Sequence, residues 1–495
     1  MTVVRASSFK GPLAGWALLV AASVFASWAV FRQLGGYDLA PLIDLFWRMK
    51  SGAVPGVDFI NTLPPLLLLL AKVFAPFKFG WYELTLANIV IAWATFAALV
   101  ALTPREDRSV GTCLALATAV AVPLVFTNHV WHSSVSQYAA AVFFLALFRG
   151  LETMDRASAL WLAGTASVLA LAKQNVALPV LGSSLSFVLV WGGVRRWRLA
   201  AAIGGGAAAG LLFAMLWLRM PLAAMLAIYT AVAGRSLPIE EMVEKLAGSA
   251  TNQVVASLCL LAVVVMIPII LRPGRLSIAQ RYVALLFVGL AALPFATDWD
   301  TKINNATLPF IVVLVVVIAG MRDGSARARS QMLYAQILTG ALLSVALLGG
   351  AVRLRMYDVG PGIFWERVMS HRVERGYFGG LYTGDTLVGV LDGMERVRAW
   401  HPGQRLFFGP RLEFGYAVLR VPSPHGMPLW WHPGTSYALG DDVRVAQAFA
   451  ANQFDRLIFL GDDRKRISQT VLNQIARTYR FVGTDGPLQI YEPIR

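Results

Sequence analysis

Four side chains near the predicted membrane surface are of types that could do chemistry: Asp38, Asp58, His129 and His132. Asp38 follows the first long apolar run, and an acidic group near a membrane is costly unless it is solvated, paired or used. His129 and His132 are three residues apart, so on a helix they could bind a metal ion together, with Asp38 or Asp58 as an oxygen ligand. Each has a structural alternative. Asp38 can cap the following helix, Asp58 can be a turn residue, and the histidines can be interfacial hydrogen-bonding groups.

The composition of the chain indicates a membrane protein. Hydrophobic residues make up 57% of the 495 residues and charged residues only 14%, and the mean hydropathy is +0.61. A soluble domain of comparable size is much more polar, with about a quarter of its residues charged. No internal repeat is evident, which argues against a transporter built from inverted halves.

Long apolar segments predict about eleven transmembrane helices, since a helix needs roughly 20 apolar residues to cross a bilayer. In one of them, the segment 203–210 (IGGGAAAG), small residues would let neighbouring helix backbones approach closely. The predicted spans are 12–31, 82–102, 109–127, 134–148, 157–171, 176–191, 199–217, 252–271, 278–296, 306–321 and 332–352.

Arginines in the short loops orient these helices, because cytoplasmic loops carry the excess of Lys and Arg. The basic loops fall on alternate sides of successive spans and are expected to be cytoplasmic. The loops between them, 128–133, 173–175 and 298–305, and the tail after residue 352 are expected on the outer side. The net charge of +15 is therefore mostly a consequence of topology, and no nucleic-acid partner is expected.

The first outer loop, residues 33–81, is predicted to contain two helices at the membrane surface. Segment 63–77 begins with a Pro-Pro pair and is shorter than a span requires, so we expect it to lie in the interface. After Asp38, apolar residues recur at helical spacing and leave Asp44 and Arg48 off the apolar stripe, as in an amphipathic helix lying on a bilayer. On this topology Asp38 shares the outer side with the other polar loops.

The first outer loop also contains an ordered series of motifs. An apolar helix is followed by an aspartate, an amphipathic helix ending in Met-x-Ser-Gly, a Pro-x-x-Asp-Phe motif, and Pro-Pro-Leu. The residues concerned are Asp38, Met49, Ser51, Gly52, Pro55, Asp58, Phe59, Pro64, Pro65 and Leu66. This order resembles the start of the polyprenyl-phosphate-sugar-dependent glycosyltransferases of the GT-C superfamily, such as the lipid A aminoarabinose transferases and the protein O-mannosyltransferases. The motifs cover roughly the first sixth of the chain.

The resemblance implies a fold, a reaction and a location. The fold would be an α-helical polytopic membrane protein of GT-C type with a C-terminal soluble α/β domain, in a bacterial inner membrane. The reaction would transfer a sugar from a polyprenyl-phosphate donor to a glycan, lipid or protein acceptor on the periplasmic face. In that family the first-loop aspartate is the catalytic base, and by position this role falls on Asp38, whose carboxylate could accept the proton of the attacking hydroxyl.

A departing lipid phosphate needs cations, and basic residues on the outer side are candidates to bind it. The polyprenyl chain would lie in a hydrophobic groove between helices. The phosphate candidates are Lys173, Arg219, Arg235 and Lys302, and the carboxylates expected to contact substrate are Asp58, Asp298 and Asp300. The structural alternatives are snorkelling of Lys173 and Lys302 to the interface, and pairing of Asp298 and Asp300 with Lys302.

The chain departs from the family pattern in its next outer loop. Family members often carry a second acidic residue there, whereas residues 128–137 (NHVWHSSVSQ) contain none and include His129 and His132. The departure puts metal dependence in doubt. The cofactor prediction is therefore open between none and a divalent metal ion held through these histidines.

From about residue 353 the composition becomes that of a soluble protein. Alternating short apolar and longer helical segments predict a small α/β domain. We thus predict a transmembrane domain over 1–352 and a periplasmic α/β domain over 353–495. The predicted strands are 405–409, 456–461, 479–483 and 488–492, and the predicted helices are 387–400, 441–452 and 465–478.

Other classes of membrane protein remain as alternatives. An O-antigen polymerase or ligase would also act on lipid-linked sugars, but such proteins typically use arginines of a large outer loop. A transporter of lipid-linked sugars should place ionisable residues at mid-membrane depth, whereas nearly all charges of this chain lie in loops or at helix ends. Surface chemistry is therefore favoured.

Overall fold

The computed structural model describes residues 10–33, 39–105, 108–126, 129–230, 277–297, 371–400, 403–434 and 436–494. The chain divides into two compact units. Unit 1 comprises Met1–Trp28, Thr85–Phe213 and Arg235–Val352, and unit 2 comprises Ala29–Leu84, Ala214–Gly234 and Arg353–Arg495. The predicted domain boundary at residue 352 stays a prediction. Five predicted site residues lie outside the described residues, namely Asp38, Arg235, Asp298, Asp300 and Lys302.

Helices dominate the described part of the chain, as expected from its runs of Ala, Leu and other good helix formers. Those of the first 300 residues are α1 (Lys10–Gln33), α2 (Leu39–Lys50), α3 (Pro65–Phe74), α4 (Glu83–Leu102), α5 (Val110–Phe126), α6 (His132–Glu152), α7 (Arg156–Ala170), α8 (Gln174–Trp191), α9 (Arg196–Leu218), α10 (Leu222–Thr230) and α11 (Ile278–Thr297). The later ones are α12 (Asp385–Trp400), α13 (Gly415–Leu419), α14 (Asp442–Asn452) and α15 (Gln469–Thr478).

Five of the described helices, α1, α4, α6, α8 and α9, are long and apolar enough to cross a membrane. Three of the predicted spans, 252–271, 306–321 and 332–352, lie outside the described residues, and each of the others is a helix. Helix α7 has 15 residues and is therefore only about 22 Å long, shorter than the hydrocarbon core of roughly 30 Å. The total number of spans stays a prediction.

Helix α6 lies at the core of the described part of unit 1. It packs against α7, α8 and α11, and 83% of its membrane-length window is buried, compared with 28% for α8 and for α9. The rings of Phe144 on α6 and Phe287 on α11 are only 4.0 Å apart. A helix that is apolar on all sides is typical of such a central position.

Glycines allow α7 and α9 to pack closely, as the small residues of 203–210 predict. A Cβ atom added to Gly206 would lie 2.2 Å from the carbonyl oxygen of Ala163, and one added to Gly210 would lie 2.6 Å from that of Ser167. The Ser167 hydroxyl donates a hydrogen bond of 2.6 Å to the Gly206 carbonyl. The close packing predicted for this segment is confirmed.

The C-terminal part of unit 2 contains a four-stranded sheet in the order β4-β6-β8-β7. Strand β4 pairs with β6 in parallel, and the other pairs are antiparallel. All four strands and α12, α14 and α15 fall where the sequence predicts them, although α15 starts four residues late because 461–466 form a 3-10 helix. The strands are β1 (Phe59–Ile60), β2 (His371–Arg372), β3 (Tyr382–Thr383), β4 (Leu406–Phe408), β5 (Met427–Pro428), β6 (Arg456–Leu460), β7 (Tyr479–Asp485) and β8 (Leu488–Pro493).

An aromatic cluster forms the core between this sheet and its helices. Phe407 on β4 contacts the rings of Trp431, Phe449 and Phe454 at centroid distances of 5.2 to 5.4 Å. Trp431 is only 2% exposed. Its ring is therefore used in packing within this cluster.

The two predicted surface helices of the first outer loop are present as α2 and α3. Helix α3 starts with Pro65 in its first turn and has 10 residues, so at about 15 Å it is too short to cross a bilayer. Its position in the interface stays a prediction. Both helices belong to unit 2, where they pack against each other.

The prediction that α2 is an amphipathic helix with a solvated polar face is wrong. Asp44 and Arg48 are 0% and 4% exposed, and the remaining residues of α2 are buried or half-buried. The physical reason is a contact that the local sequence cannot show, because residues from the C-terminal part of unit 2 cover the polar side of the helix. Helix α2 is therefore an internal element of unit 2.

Candidate active site

A tight turn in the first outer loop, residues 54–58 (VPGVD), carries Asp58. Gly56 adopts φ +76°, a conformation that glycine takes without strain. The Oδ2 atom of Asp58 accepts a hydrogen bond of 2.6 Å from the Val54 N–H, and Oδ1 lies 3.2 Å from His425 Nε2. Both carboxylate oxygens thus have partners within the protein. Asp58 fulfils the structural role of a turn residue, and substrate contact by it stays a prediction.

The docking segment, residues 421–429 (VPSPHGMPL), runs along the first outer loop. Strand β5 within it pairs in parallel with β1, with Phe59 opposite Met427. The Gly426 N–H donates to the Asp58 carbonyl at 2.7 Å, and the Leu429 N–H donates to the Ile60 carbonyl at 3.1 Å. Two segments more than 350 residues apart in sequence are thereby joined by backbone hydrogen bonds.

A buried ion pair on α2 faces the docking segment. Arg48 Nε lies 2.7 Å from Asp44 Oδ2, the Ser423 hydroxyl donates to Asp44 Oδ1 at 2.6 Å, and Arg48 Nη1 donates to the Pro424 carbonyl at 2.9 Å. The guanidinium group also lies over the Phe59 ring, 5.2 Å from its centroid. A buried charge without partners costs several kcal/mol, so these bonds are needed to keep the pair inside the protein.

A buried carboxyl group, Glu413, lies close to this ion pair. It is 4% exposed, and its Oε2 atom has no hydrogen-bond partner among the described residues. Burial raises the pKa of Glu413 well above its ordinary value of 4.5, and the carboxylates of Asp44 and Asp463 add to the effect. Burial also raises the pKa of Asp44, while Arg48 offsets part of that shift. The environment thus favours the neutral form of Glu413.

Arg219, a predicted phosphate ligand, lies exposed at the end of α9 in a strained backbone conformation with φ 56°. Its N–H donates to the Leu216 carbonyl, and the Met220 N–H donates to the Met215 carbonyl at 3.0 Å. These bonds form a Schellman motif, in which the left-handed residue is usually glycine. An arginine in this conformation destabilises the folded protein by roughly 1 kcal/mol or more. The strained position is also a candidate functional residue.

Helix α10, which follows Arg219, packs against the turn of the first outer loop. A Cβ atom added to Gly56 would lie 2.2 Å from the Cβ of Ala224. The turn therefore tolerates only glycine for two reasons, its positive φ and this close approach. Helix α10 ends at Thr230, and residues 231–251 lie outside the described residues.

In unit 1, the first turns of α6 and α8 are joined through Ser136. Its hydroxyl donates to the His132 carbonyl at 2.6 Å and accepts the Lys173 N–H at 2.8 Å. Lys173 directly precedes α8, and helix N-termini carry a partial positive charge of about half a unit. The structure therefore brings His132 and Lys173, predicted on two separate outer loops, to neighbouring helix starts.

The predicted metal ligands His129 and His132 both have aromatic neighbours in the structure. The described residues contain no group of three or more His, Cys, Asp or Glu side chains arranged to hold an ion. The ring of His132 packs on Trp131 at a centroid distance of 4.1 Å and its Nδ1 lies 3.2 Å from the Ser133 hydroxyl, while His129 contacts the edge of Trp131. Asp38, an oxygen ligand predicted to act with these histidines, lies outside the described residues, so metal binding at His129 and His132 stays a prediction.

Three residues of this region, Arg48, Ser423 and Glu413, do not stand out in the sequence as functional candidates. The spacing of Asp44 and Arg48 does indicate a pair on one helix face. The partner Ser423 is 379 positions away from Asp44, and no local pattern connects them. A polar pair on an otherwise apolar helix is the one available signal that some other segment covers it.

The helices, the two units and the first-outer-loop site together define a polytopic helical membrane protein whose first loop is integrated with its C-terminal part. Comparison with solved structures assigns the fold. ArnT from Cupriavidus metallidurans in the apo state matches with a TM-score of 0.55 at 12% identity. ArnT from the same organism bound to undecaprenyl phosphate matches with a TM-score of 0.52 at 14% identity. Each match covers 97% of this chain and 98% of that chain.

These matches show the fold over nearly the whole chain. ArnT is a lipid A aminoarabinose transferase of GT-C fold, so the resemblance read from the first-loop motifs is confirmed at the level of the fold. No protein-family model and no curated protein sequence matches the chain.

Proposed function

We propose that this chain is an integral-membrane glycosyltransferase that transfers a sugar from a polyprenyl-phosphate-linked donor to an acceptor at the periplasmic face of a bacterial inner membrane. The observation that carries the proposal is the shared fold with ArnT, which has been seen bound to undecaprenyl phosphate. The five membrane-length helices suit a lipid-linked substrate. In this proposal residues 353–495 form a periplasmic α/β domain.

The proposed chemistry is a displacement at the anomeric carbon of the donor sugar. The acceptor hydroxyl oxygen forms the new glycosidic bond, and the bond between the sugar and the phosphate breaks. Polyprenyl phosphate leaves with the electron pair, and the hydroxyl proton goes to the carboxylate of Asp38. The assignment of Asp38 rests on its place in the first-loop motifs.

The leaving phosphate gains negative charge, and cations near it would lower the barrier. Lys173 is the best-supported ligand within unit 1, because the partial positive charges of two helix starts add to its own charge. Arg219 is the candidate within unit 2, with an exposed guanidinium that can bind phosphate through two parallel hydrogen bonds. Arg235 and Lys302 are further phosphate candidates, and Asp298, Asp300 and Asp58 are proposed to contact the sugar or acceptor.

The proposal is tested with purified full-length protein, radiolabelled undecaprenyl-phosphate sugars and a panel of lipid, glycan and peptide acceptors. Asp38→Asn keeps the shape of the side chain but removes its basicity. The expected result is a fall in turnover of about 100-fold or more, within the range for loss of a general base. The matched control is Asp392→Asn, at an exposed carboxylate of α12, which should transfer sugar at the wild-type rate.

Two outcomes would count against this account. If Asp38→Asn and wild type transfer sugar equally fast, Asp38 is not the base. If wild-type protein transfers none of the sugars, the proposed activity itself is wrong for the donors tested.

A further inference from the structure

We propose that the docking segment, residues 421–429, is a positioning element of the active site, and that Arg48 and Ser423 are positioning residues that act through α2 on Asp38. The inference rests on the proposed function for its catalytic readout. Its structural part, the coupling of the docking segment to the first outer loop, can be tested separately.

In the sequence, Asp38 is covalently joined to the residue that begins α2. Leu39 is the first residue of α2 and directly follows Asp38 in the sequence. Helix α2 is buried along its length, which means that its orientation is determined by what packs around it. Whatever fixes the rotation of α2 about its axis therefore also affects the proposed base.

Polar contacts with the docking segment fix that rotation. Trp47 Nε1 donates to the Val421 carbonyl at 2.9 Å, in addition to the bonds of Asp44 and Arg48 with Ser423 and Pro424. Residues 44, 47 and 48 lie on one side of the helix, and hydrogen bonds are directional whereas apolar contacts are not. A rotation of α2 by one residue, about 100°, would break all of these contacts.

The docking segment is in turn held at its other end. The backbone bonds from Gly426 and Leu429 to the 58–60 region, and the contact of His425 with Asp58, attach it to the strand that follows the turn. Both ends of the motif region, α2 and β1, are therefore bound to one continuous stretch of the C-terminal part. The docking segment thereby holds α2 and β1 in a fixed position relative to each other.

A buried ion pair is not needed for packing, because removing two charges from water costs free energy that apolar side chains do not lose. Well-packed apolar residues in the place of a buried ion pair are often neutral or stabilising. Besides the bond that they make to each other, Arg48 and Asp44 each make a hydrogen bond to the docking segment, to Pro424 and Ser423 respectively. This is the pattern expected where register matters more than stability.

The test compares amide hydrogen exchange and turnover in full-length protein. Ser423→Ala removes the hydroxyl that donates to the Asp44 carboxylate. We expect exchange to become about tenfold faster in peptides covering 39–50 and 54–60, since hydrogen bonds to charged groups are among the stronger ones. Turnover with undecaprenyl-phosphate sugars should fall by a similar factor at unchanged donor KM, because in this proposal α2 acts on the orientation of the base and not on donor binding.

Two control variants separate positioning from stability. Ser468→Ala removes the N-cap hydroxyl of α15, which accepts from the Val471 N–H, and should destabilise the C-terminal part without changing exchange in 39–60. Ser423→Thr keeps a hydroxyl and should restore exchange and turnover to near the wild-type values. If Ser423→Ala is poorly folded, Arg48→Lys replaces it, since lysine keeps the charge but lacks the second nitrogen that reaches Pro424.

The outcomes are distinct. Equal amide exchange in Ser423→Ala and Ser468→Ala over residues 39–60 would contradict the claim that the docking segment holds the first outer loop. Faster exchange with unchanged turnover would overturn the positioning role. If no variant and no wild-type sample transfers sugar, the proposed function has failed, and the exchange result still decides whether the docking segment holds the first outer loop.

Discussion

At the residue scale, polar side chains of unit 2 depend on partners that are distant in sequence. Asp44 and Arg48 look like the solvated face of a surface helix, but they are buried because Ser423 and Pro424 meet their polar atoms. Asp58 has one partner nearby in sequence, the Val54 N–H, and one far away, His425. Residue types alone therefore identify groups that need partners, and only the structure identifies those partners.

Glu413 should make the stability of the protein depend on pH. Its pKa in the folded protein is raised above the ordinary value of 4.5. Its contribution to stability is therefore fully present below that value and is lost as the pH rises through the folded-state pKa. Glu413→Gln removes this titration, so the thermal stability of the variant should exceed that of wild type by a margin that grows with rising pH.

The measurement is the melting temperature of both proteins in detergent between pH 5 and pH 9. The direct neighbours that share the effect are the carboxylates of Asp44 and Asp463, so Asp392→Asn, an exposed carboxylate elsewhere, serves as the control. Parallel curves for Glu413→Gln and wild type would show that the carboxyl is not buried as described.

The variant Arg219→Gly should have two separate effects, one on stability through backbone strain and one on phosphate binding. Glycine adopts the left-handed conformation freely, so the variant should be as stable as wild type or more stable by up to about 1 kcal/mol. If the guanidinium binds phosphate, the same variant should bind undecaprenyl phosphate about tenfold more weakly. Binding is measured by thermal shift and by lipid titration.

The matched control for this prediction is Arg420→Gly. Arg420 also has a left-handed conformation, with φ 54°, after the last residue of α13, so relief of strain should be similar. Lipid affinity should stay at the wild-type value. Equal lipid affinity in Arg219→Gly and Arg420→Gly would remove Arg219 from the phosphate site.

At the element scale, the apolar periodicity of the sequence predicts most helices and strands that the structure describes. The four strands of 405–492 and the short helix after Pro64 fall where composition and turn residues place them. The environment of an element is harder to predict. Helix α2 has the pattern of an amphipathic surface helix, and its burial results from non-local contacts that periodicity does not contain.

The contact between α7 and α9 gives an element-scale prediction. Gly206→Ala would force a methyl group to within 2.2 Å of the Ala163 carbonyl oxygen, so the helices must separate, at a cost of about 1–3 kcal/mol. Gly204→Ala, two residues earlier, meets nothing within 4 Å and should be neutral or slightly stabilising because alanine is the better helix former. The thermal stability of the two purified variants in detergent is the measurement, and similar values would contradict the close packing.

At the scale of the whole molecule, composition alone indicates a membrane protein, and the order of first-loop motifs indicates the fold that the comparisons show. The grouping of residues 29–84 with 353–495 in one compact unit could not be predicted. It depends on contacts such as the pairing of β1 with β5, two strands of two residues each, and such short pairings leave no periodic signal. The residue types of the candidate site can therefore be predicted from the sequence. The long-range contacts that bring its residues together cannot.

The most direct test of the central claim is detection of the lipid product. Purified wild-type protein in nanodiscs is incubated with undecaprenyl-phosphate sugars and an extract of cell-envelope acceptors, and free undecaprenyl phosphate is quantified by mass spectrometry. We predict that it appears in a one-to-one ratio with glycosylated acceptor and only when the protein is present. Release no greater than from empty nanodiscs, for every sugar supplied, would contradict the account.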